Sequence, residues 1–200
     1  MNSFIFDFDC TITYTHFYYF THDLDTYCKK FKIEQTDKIK WLQIIIIKYL
    51  KEDHYIPLEY FSIFVNLIFG SNERLRLIKK FLNKLNLENV YIASRGDKND
   101  ICKCIDLLGI KIPHDNVFGN ETPKINVINN LIDKGNVFYV DDDRQEHIEF
   151  IKDFETDSRI PFTSCIKNKN HYVFMNTLMK EGSGLTLEQM NLILIFYNIQ

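Results

Sequence analysis

Alanine is all but absent from this chain. Ala93 is the single one in 200 residues, whereas Ile, Asn, Lys, Phe and Tyr abound, a bias of AT-rich coding sequence that carries no mechanism. With the best helix former missing, helices have to be read from apolar periodicity and from caps rather than from propensity. No apolar run reaches 18 residues, and no basic segment precedes an apolar one at the N-terminus. These absences predict neither export nor membrane spanning. The five cysteines are odd in number and irregularly spaced, which argues against a disulfide framework and predicts a reducing, cytoplasmic setting. Cys102 and Cys104 lack a second pair and a neighbouring histidine, so they read as buried helix thiols rather than zinc ligands. No two of the six histidines are spaced as a ligand pair, and His147 reads as a solvent-facing helix residue. A formal charge of −3, with lysines and arginines scattered rather than striped, argues against a nucleic-acid partner. No internal repeat or long linker is visible.

What is present concentrates in Phe4-Ile5-Phe6-Asp7-Phe8-Asp9-Cys10-Thr11. An apolar run delivers two carboxylates, one residue apart, onto a polar turn. Phe4 to Phe6 read as a strand buried on both faces, as in the centre of a parallel sheet. If extended geometry persists, Asp7 and Asp9 point to one side while Phe8 points back into the core. Two such carboxylates coexist either because a hard cation such as Mg²⁺ holds them or because one keeps its proton and works as an acid.

Residues from about 15 to 69 read as mainly helical, beginning with the aromatic segment Phe17 to Phe20. Pro57 stands where a helix start tolerates proline, and Ser71 reads as the cap of a helix through Leu85. From residue 86 onward the pattern alternates: strand Asn89 to Ala93, helix to Leu108, the pair Val117-Phe118, helix from Lys124, strand Asn136 to Val140. That alternation predicts a layered α/β sheet. Phe162 to Ile166 reads as a further strand, residues 167 to 183 as irregular, and Thr186 with Gln189 as a capping box opening a final helix. A hydrophobic content of 46% can bury a real core, in one domain or one domain with an insertion.

Asp7-Phe8-Asp9-Cys10-Thr11 resembles the DxDxT signature of the haloacid dehalogenase-like (HAD) phosphohydrolases, and the later motifs of that family are matched in order. Ser94 follows the second buried strand, Lys124 opens a helix, and Asp141-Asp142-Asp143 follow the strand ending at Val140. The resemblance covers residues 4 to 13 and about 72 to 165. Within the family it looks most like the magnesium-dependent phosphatase branch, which also has a Gly-x-x-Leu segment, here Gly182 to Leu185 or Gly184 with Leu187. It implies an α/β, three-layer Rossmann-like core with a parallel sheet, formed by residues 1–14 and 70–200, and a helical cap at 15–69 inserted after the first strand.

The same resemblance implies chemistry. Asp7 would attack phosphorus in a small phosphorylated substrate, and Asp9 would serve as acid and then base. Thr11, Ser94, Arg95 and Lys124 would hold the phosphate. Mg²⁺ would be bound by Asp7, the carbonyl of Asp9 and Asp142 with Asp141 beside it; counting back from Ile148 favours Asp143 instead. Read singly, Ser94 is as readily a helix cap and Lys124 a surface lysine; their order carries the case. Rival readings are a binding or regulatory protein on the same scaffold, a protein or nucleic-acid phosphatase, and a dehalogenase. The aromatic segment could close over substrate, although such runs more often pack a core.

Overall fold

The computed structural model describes residues 2–119, 123–152, 163–167, 169–176 and 184–199. Its centre is β1 (Asn2–Phe6), flanked on one side by β2 (Val90–Ala93) and β3 (Val117–Phe118), and on the other by β4 (Asn136–Asp141), β6 (Asn170–Asn176) and β5 (Thr163–Lys167). β1, β2, β3, β4 and β6 run parallel, as expected, but β5 at the edge is antiparallel to β6. Only residues 168 and 169 join the two, too short a connection for a parallel crossover, so a hairpin results. Lys169 sits at φ 69 in that turn. The β6 strand also corrects the reading of 167 to 183 as irregular. Tyr172, Val173, Phe174 and Met175 are all buried, which is the continuous apolar run of a strand covered on both faces rather than an alternating one.

Period-two alternation sorts β1 between two cores. Phe4 and Phe6 face a cluster built with Phe8, the helices before β2 and the helix that follows it, while Ile5 faces a second cluster with Val127, Ile128, Leu131 and Tyr139. These are the outer layers of a three-layer α/β structure. On the first face lie α1 (Phe17–His22), α2 (Leu24–Phe31), α3 (Asp37–Glu52), α4 (Leu58–Phe69), α5 (Asn72–Leu82), α6 (Lys98–Leu107) and α9 (Leu187–Ile199); on the second lie α7 (Lys124–Ile132) and α8 (Gln145–Ile151). Without alanine, these helices rely on caps and buried stripes. Ser71 accepts from the Arg74 N–H (3.0 Å), Asp97 from Asn99 and Asp100 (2.8 and 3.1 Å), and Thr186 and Gln189 bond reciprocally (2.9 and 3.2 Å). Phe162, Gly182 and residues 120–122 lie outside the described residues. No described helix is long and apolar enough to cross a membrane.

The four helices between β1 and α5 do not form a separate core. Phe17, Phe20, Tyr27, Phe64 and Ile68 share one apolar cluster with Phe4 and Phe6 of the sheet. The insertion's two ends are also tied together: the N–H groups of Tyr14 and Thr15 both donate to the Ile68 carbonyl (2.7 and 3.3 Å), and the Thr15 hydroxyl donates to Leu67 O (2.9 Å).

His147 differs from its sequence reading. It is 1% exposed, stacked 3.9 Å from the Phe174 ring at an interplanar angle of 11°, with Nδ1 3.1 Å from the Tyr172 hydroxyl. It shares a helix face with Phe150, three residues on, and that face packs on the sheet. Burial, followed by the charge of Arg144, lowers its imidazole to about 4. In the unfolded chain it titrates near 6.5, so between about pH 6.5 and about pH 4 the unfolded state binds a proton that the folded state refuses, and stability falls as pH drops. His147→Phe should remove that contribution. Melting temperatures measured from about pH 7 to about pH 4.5 should shift in the variant's favour as pH falls; a difference independent of pH would overturn the assignment.

Candidate active site

Strand register brings the motif residues to one level. Phe6 is paired with Ile92 on one side and Val140 on the other, so Asp7 leaves the sheet beside Ala93 and Asp141, and Ser94 follows one step later. The Asp7 N–H still donates to Val140 O (2.9 Å), and the Ser94 N–H to Phe118 O (3.0 Å), which ties both residues to the sheet's C-terminal edge. Open parallel sheets bind ligands at that edge. A cleft of about 680 Å³ opens there, with Asp7, Asp9, Ser94, Arg95, Lys124 and Asp142 in its lining.

After Asp7 the chain makes a wide one-turn loop. Asp9 keeps an extended backbone (φ −72°, ψ 131°), and Cys10 turns left-handed at φ 57°. The Thr13 side chain closes the loop, accepting from the Cys10 N–H (3.0 Å) and lying 2.5 Å from the Thr15 carbonyl. Asp7 and Asp9 therefore both line the cleft, with Phe8 fully buried between them. The same turn carries Thr11 inward. It is fully buried and does not line the cleft, unlike the phosphate-facing position that the resemblance implies.

The charge pattern is uneven. Lys124 Nζ lies 2.9 Å from Asp7 Oδ1 and 2.7 Å from Asp141 Oδ2. The carboxylates of Asp7, Asp141 and Asp142 offer oxygens all within 4.8 Å of one another. Three carboxylates against one ammonium leave two negative charges without compensation. Burial, only partly offset by Lys124 and reinforced by Asp141, pushes the Asp7 carboxyl well above the usual range. Burial also raises Asp142, to about 6, with the Asp141 charge adding to it. For Lys124, burial alone would favour the neutral amine, but Asp7 and Asp141 outweigh it and hold the ammonium charged. An all-oxygen set with two surplus negative charges fits a hard divalent cation such as Mg²⁺, Mn²⁺ or Ca²⁺.

The three consecutive aspartates divide the work by direction. Asp141 is fully buried, bonded to Lys124 and to the Tyr139 hydroxyl, and accepts from the Asp143 N–H (2.8 Å). Asp142 turns into the cleft. Asp143 lies outside the carboxylate cluster, about half exposed (48%), 3.5 Å from Arg95, whose side chain is 68% exposed. An ion pair so open to water contributes little.

Asp9 stands apart from Lys124 and accepts the Phe17 N–H at 2.5 Å. Burial raises its carboxyl to about 7 despite that bond, a value suited to donating and recovering a proton. His16 Nδ1 lies 3.2 Å from Asp9 Oδ2, out of line for a hydrogen bond. Burial and then the Lys30 charge lower its imidazole to about 4, so it stays neutral. The Ser94 hydroxyl accepts from the Gly96 N–H (3.2 Å), which leaves its proton available for a ligand.

The aromatic entry splits by face. Phe17 and Phe20 pack into the core, while Tyr18 and Tyr19 line the cleft. Sequence reading missed His16, Lys30 and the Tyr139 hydroxyl. It also missed Arg74, whose guanidinium donates to the carbonyls of Ile12 (3.0 Å) and Thr11 (3.3 Å) behind the loop. Nothing in a lone arginine near a helix start signals that role, whereas His16, directly after the aspartate turn, could have been flagged by position.

Among solved structures, the HAD domain of the effector protein Lem4 from Legionella pneumophila is similar over 98% of this chain and 94% of its own, with TM-score 0.50 and 20% identity. A phosphoserine phosphohydrolase-like protein from Francisella tularensis subsp. tularensis SCHU S4 is similar over 76% of this chain and 83% of its own, with TM-score 0.38 and 17% identity. No family model and no curated protein matches the chain. The likeness to the Lem4 domain spans nearly all of both chains, and this chain has the HAD fold.

The surplus charge predicts linkage between cation, proton and stability. Mg²⁺ should raise the melting temperature of the wild type, by an amount equivalent to about 2.7 kcal/mol at 100 times its dissociation constant. Protons compete for the same oxygens, so the increment should shrink as pH falls through about 6. Asp142→Asn should abolish it; an undiminished increment in that variant, measured by thermal denaturation with Mg²⁺ and with EDTA, would remove Asp142 from the cation site.

Proposed function

We propose that this chain is a phosphomonoester hydrolase of the Mg²⁺-dependent kind, working through an aspartyl-phosphate. The observation that supports this best is the convergence of Asp7, Asp9, Ser94, Lys124 and Asp142 on one cleft, with Asp7 inside the three-carboxylate cluster and Asp9 outside it. Asp7 lies against an ammonium, and Asp9 is held near 7 away from it. Burial raises both carboxyls, but the Lys124 ammonium favours the ionised form of Asp7, which suits a nucleophile, whereas Asp9, outside the cluster, has a proton to give.

The Asp7 carboxylate attacks phosphorus, and the bond from phosphorus to the alcohol oxygen breaks. Asp9 gives its proton to that oxygen, and the alcohol departs. Asp9, now a carboxylate, takes a proton from water as the water oxygen attacks the acyl phosphate; inorganic phosphate leaves and Asp7 is regenerated. Lys124 and the Ser94 hydroxyl hold the phosphoryl oxygens, and the Lys124 charge opposes the build-up of negative charge on them. Asp7, Asp142 and the Asp9 carbonyl would hold Mg²⁺, with Asp141 keeping Lys124 in place. When bound, the cation supplies charge neutralisation between nucleophile and phosphate. The 15–69 helices, whose Tyr18 and Tyr19 overhang the cleft, serve as a cap that limits access of water. A small phosphorylated substrate suits a cleft of about 680 Å³.

Two measurements test this. Purified protein assayed against sugar, nucleotide and protein phosphates should turn over at least one of them with Mg²⁺ and none with EDTA. Asp7→Asn should lose at least about 10³-fold in kcat while keeping its fold; an active, folded variant refutes the nucleophile assignment. The second test is the pH profile. kcat/KM for an alkyl phosphate requires protonated Asp9, so it should fall about tenfold per pH unit above about 7. A nitrophenyl ester needs no proton on its leaving oxygen and should not show that limb; identical alkaline limbs for both esters would exclude Asp9 as the acid.

A further inference from the structure

The leaving-group side of the cleft is built by the insertion, and it carries a charge that the phosphoryl chemistry does not use. Asp9 marks that side, because the acid that protonates the departing oxygen faces the alcohol half of the ester. Beside it stands His16, 3.2 Å away, with the Tyr19 ring 4.1 Å from the imidazole, centroid to centroid. Lys30, in the last turn of α2, places its Nζ 5.5 Å from the centroid of that same Tyr19 ring, and it lines the cleft. It is half-buried, and among the described residues no carboxylate pairs with it. Its charge reaches His16 and helps keep it neutral. A half-buried ammonium without a counter-ion loses hydration that a ligand's negative group can replace.

Lys124 and a divalent cation together offset Asp7, Asp141 and Asp142, and Asp143 has Arg95. Lys30 belongs to neither account and comes from a different layer of the structure. We propose that Lys30, with the Tyr18 and Tyr19 rings, forms a subsite for a second anionic group on the leaving alcohol. The substrate class is then small phosphomonoesters whose alcohol half carries a carboxylate or a further phosphate. This inference rests on the hydrolase reading above and narrows it. The competing account is a solvated lysine resting on an aromatic ring, which predicts no discrimination among alcohols.

Three probes share one carbon skeleton: glycerol 3-phosphate, 3-phosphoglycerate and glycerol 1,3-bisphosphate. With Mg²⁺ present, the wild type should favour at least one doubly anionic ester over glycerol 3-phosphate by about tenfold or more in kcat/KM, the size of one charge-assisted hydrogen bond. Which of the two is favoured tells carboxylate from phosphate. Lys30→Met, which keeps the apolar stem, should bring the ratio to within about twofold, and Lys30→Arg should retain it. Calorimetric affinities of Asp7→Asn, with and without Lys30→Met, provide a second reading that needs no turnover. Absence of preference in both measurements, or a preference that survives Lys30→Met, overturns the subsite. Binding preference without hydrolysis of any probe refutes the hydrolase and leaves the subsite standing; equal hydrolysis of all three does the reverse.

Discussion

Three carboxylates share one ammonium at the end of two adjacent strands, and that imbalance governs the rest of the site. Like charges within 4.8 Å repel by a few kcal/mol even at an effective dielectric of about 20. Hydrogen bonds from the Tyr139 hydroxyl and the Asp143 N–H relieve this repulsion only in part. The parallel register of β1 and β4 imposes it, since Asp7 and Asp141 are the next residues out from the paired Phe6 and Val140. Lys124 answers part of the charge and is held so firmly by Asp7 and Asp141 that it stays protonated despite its burial. The remainder is met either by protons, which the Asp7 and Asp142 carboxyls hold more readily because burial, and then the neighbouring carboxylates, raise them, or by a cation. Stability, metal affinity and nucleophilicity thus draw on the same few oxygens.

The insertion takes part in this arrangement through the residue between Asp7 and Asp9. Phe8 meets Phe17 edge-to-face at 5.9 Å, and Phe17 meets Phe64 at 6.1 Å, so the turn that aims Asp7 and Asp9 is packed directly on α1 and α4. The Phe17 N–H is also the donor to Asp9. A cap with a core of its own could swing without disturbing the acid. Here the first helix of the insertion both packs the loop and bonds the acid, and movement of that helix would alter the Asp9 environment along with access to the cleft.

The residues that line the candidate site were legible in the sequence because each follows an apolar strand or opens a helix, and their order along the chain survives folding. Asp7, Asp9, Ser94, Lys124 and Asp142 are brought to one cleft for that reason. What was not legible depends on geometry that sequence pattern does not encode. Thr11 is turned inward by a left-handed Cys10, a conformation that no residue type announces there. β6 was overlooked although Tyr172 to Met175 form the same kind of continuous apolar run by which β1 was read. Alternation puts Asp141 on the face of Tyr139, where α7 delivers Lys124, while Asp142, just past the end of the strand, lines the cleft with its carboxylate still within 4.8 Å of those of Asp7 and Asp141. His147 was misplaced although its spacing from Phe150 already put it on the buried face of α8.

Arg74 shows how far support for the aspartate loop extends. Its guanidinium donates to Thr11, Ile12, Phe69 and Leu185 carbonyls, at 3.3, 3.0, 3.4 and 3.5 Å, and so joins the loop, the exit of the insertion and the C-terminal segment. Among the described residues no carboxylate balances it, and burial lowers its pKa to about 10. Leu185 adds its own bond to Thr11 O (2.9 Å), and Gly184 holds φ 52° where a Cβ would lie 2.2 Å from the arginine. Only a bare backbone can approach that closely. The back of the aspartate loop is therefore fixed by dipoles from three distant parts of the chain while its front carries the surplus charge. That division lets the carboxylates crowd together without the loop yielding, because the repulsion at the front is opposed by a rigid, hydrogen-bonded mount behind it.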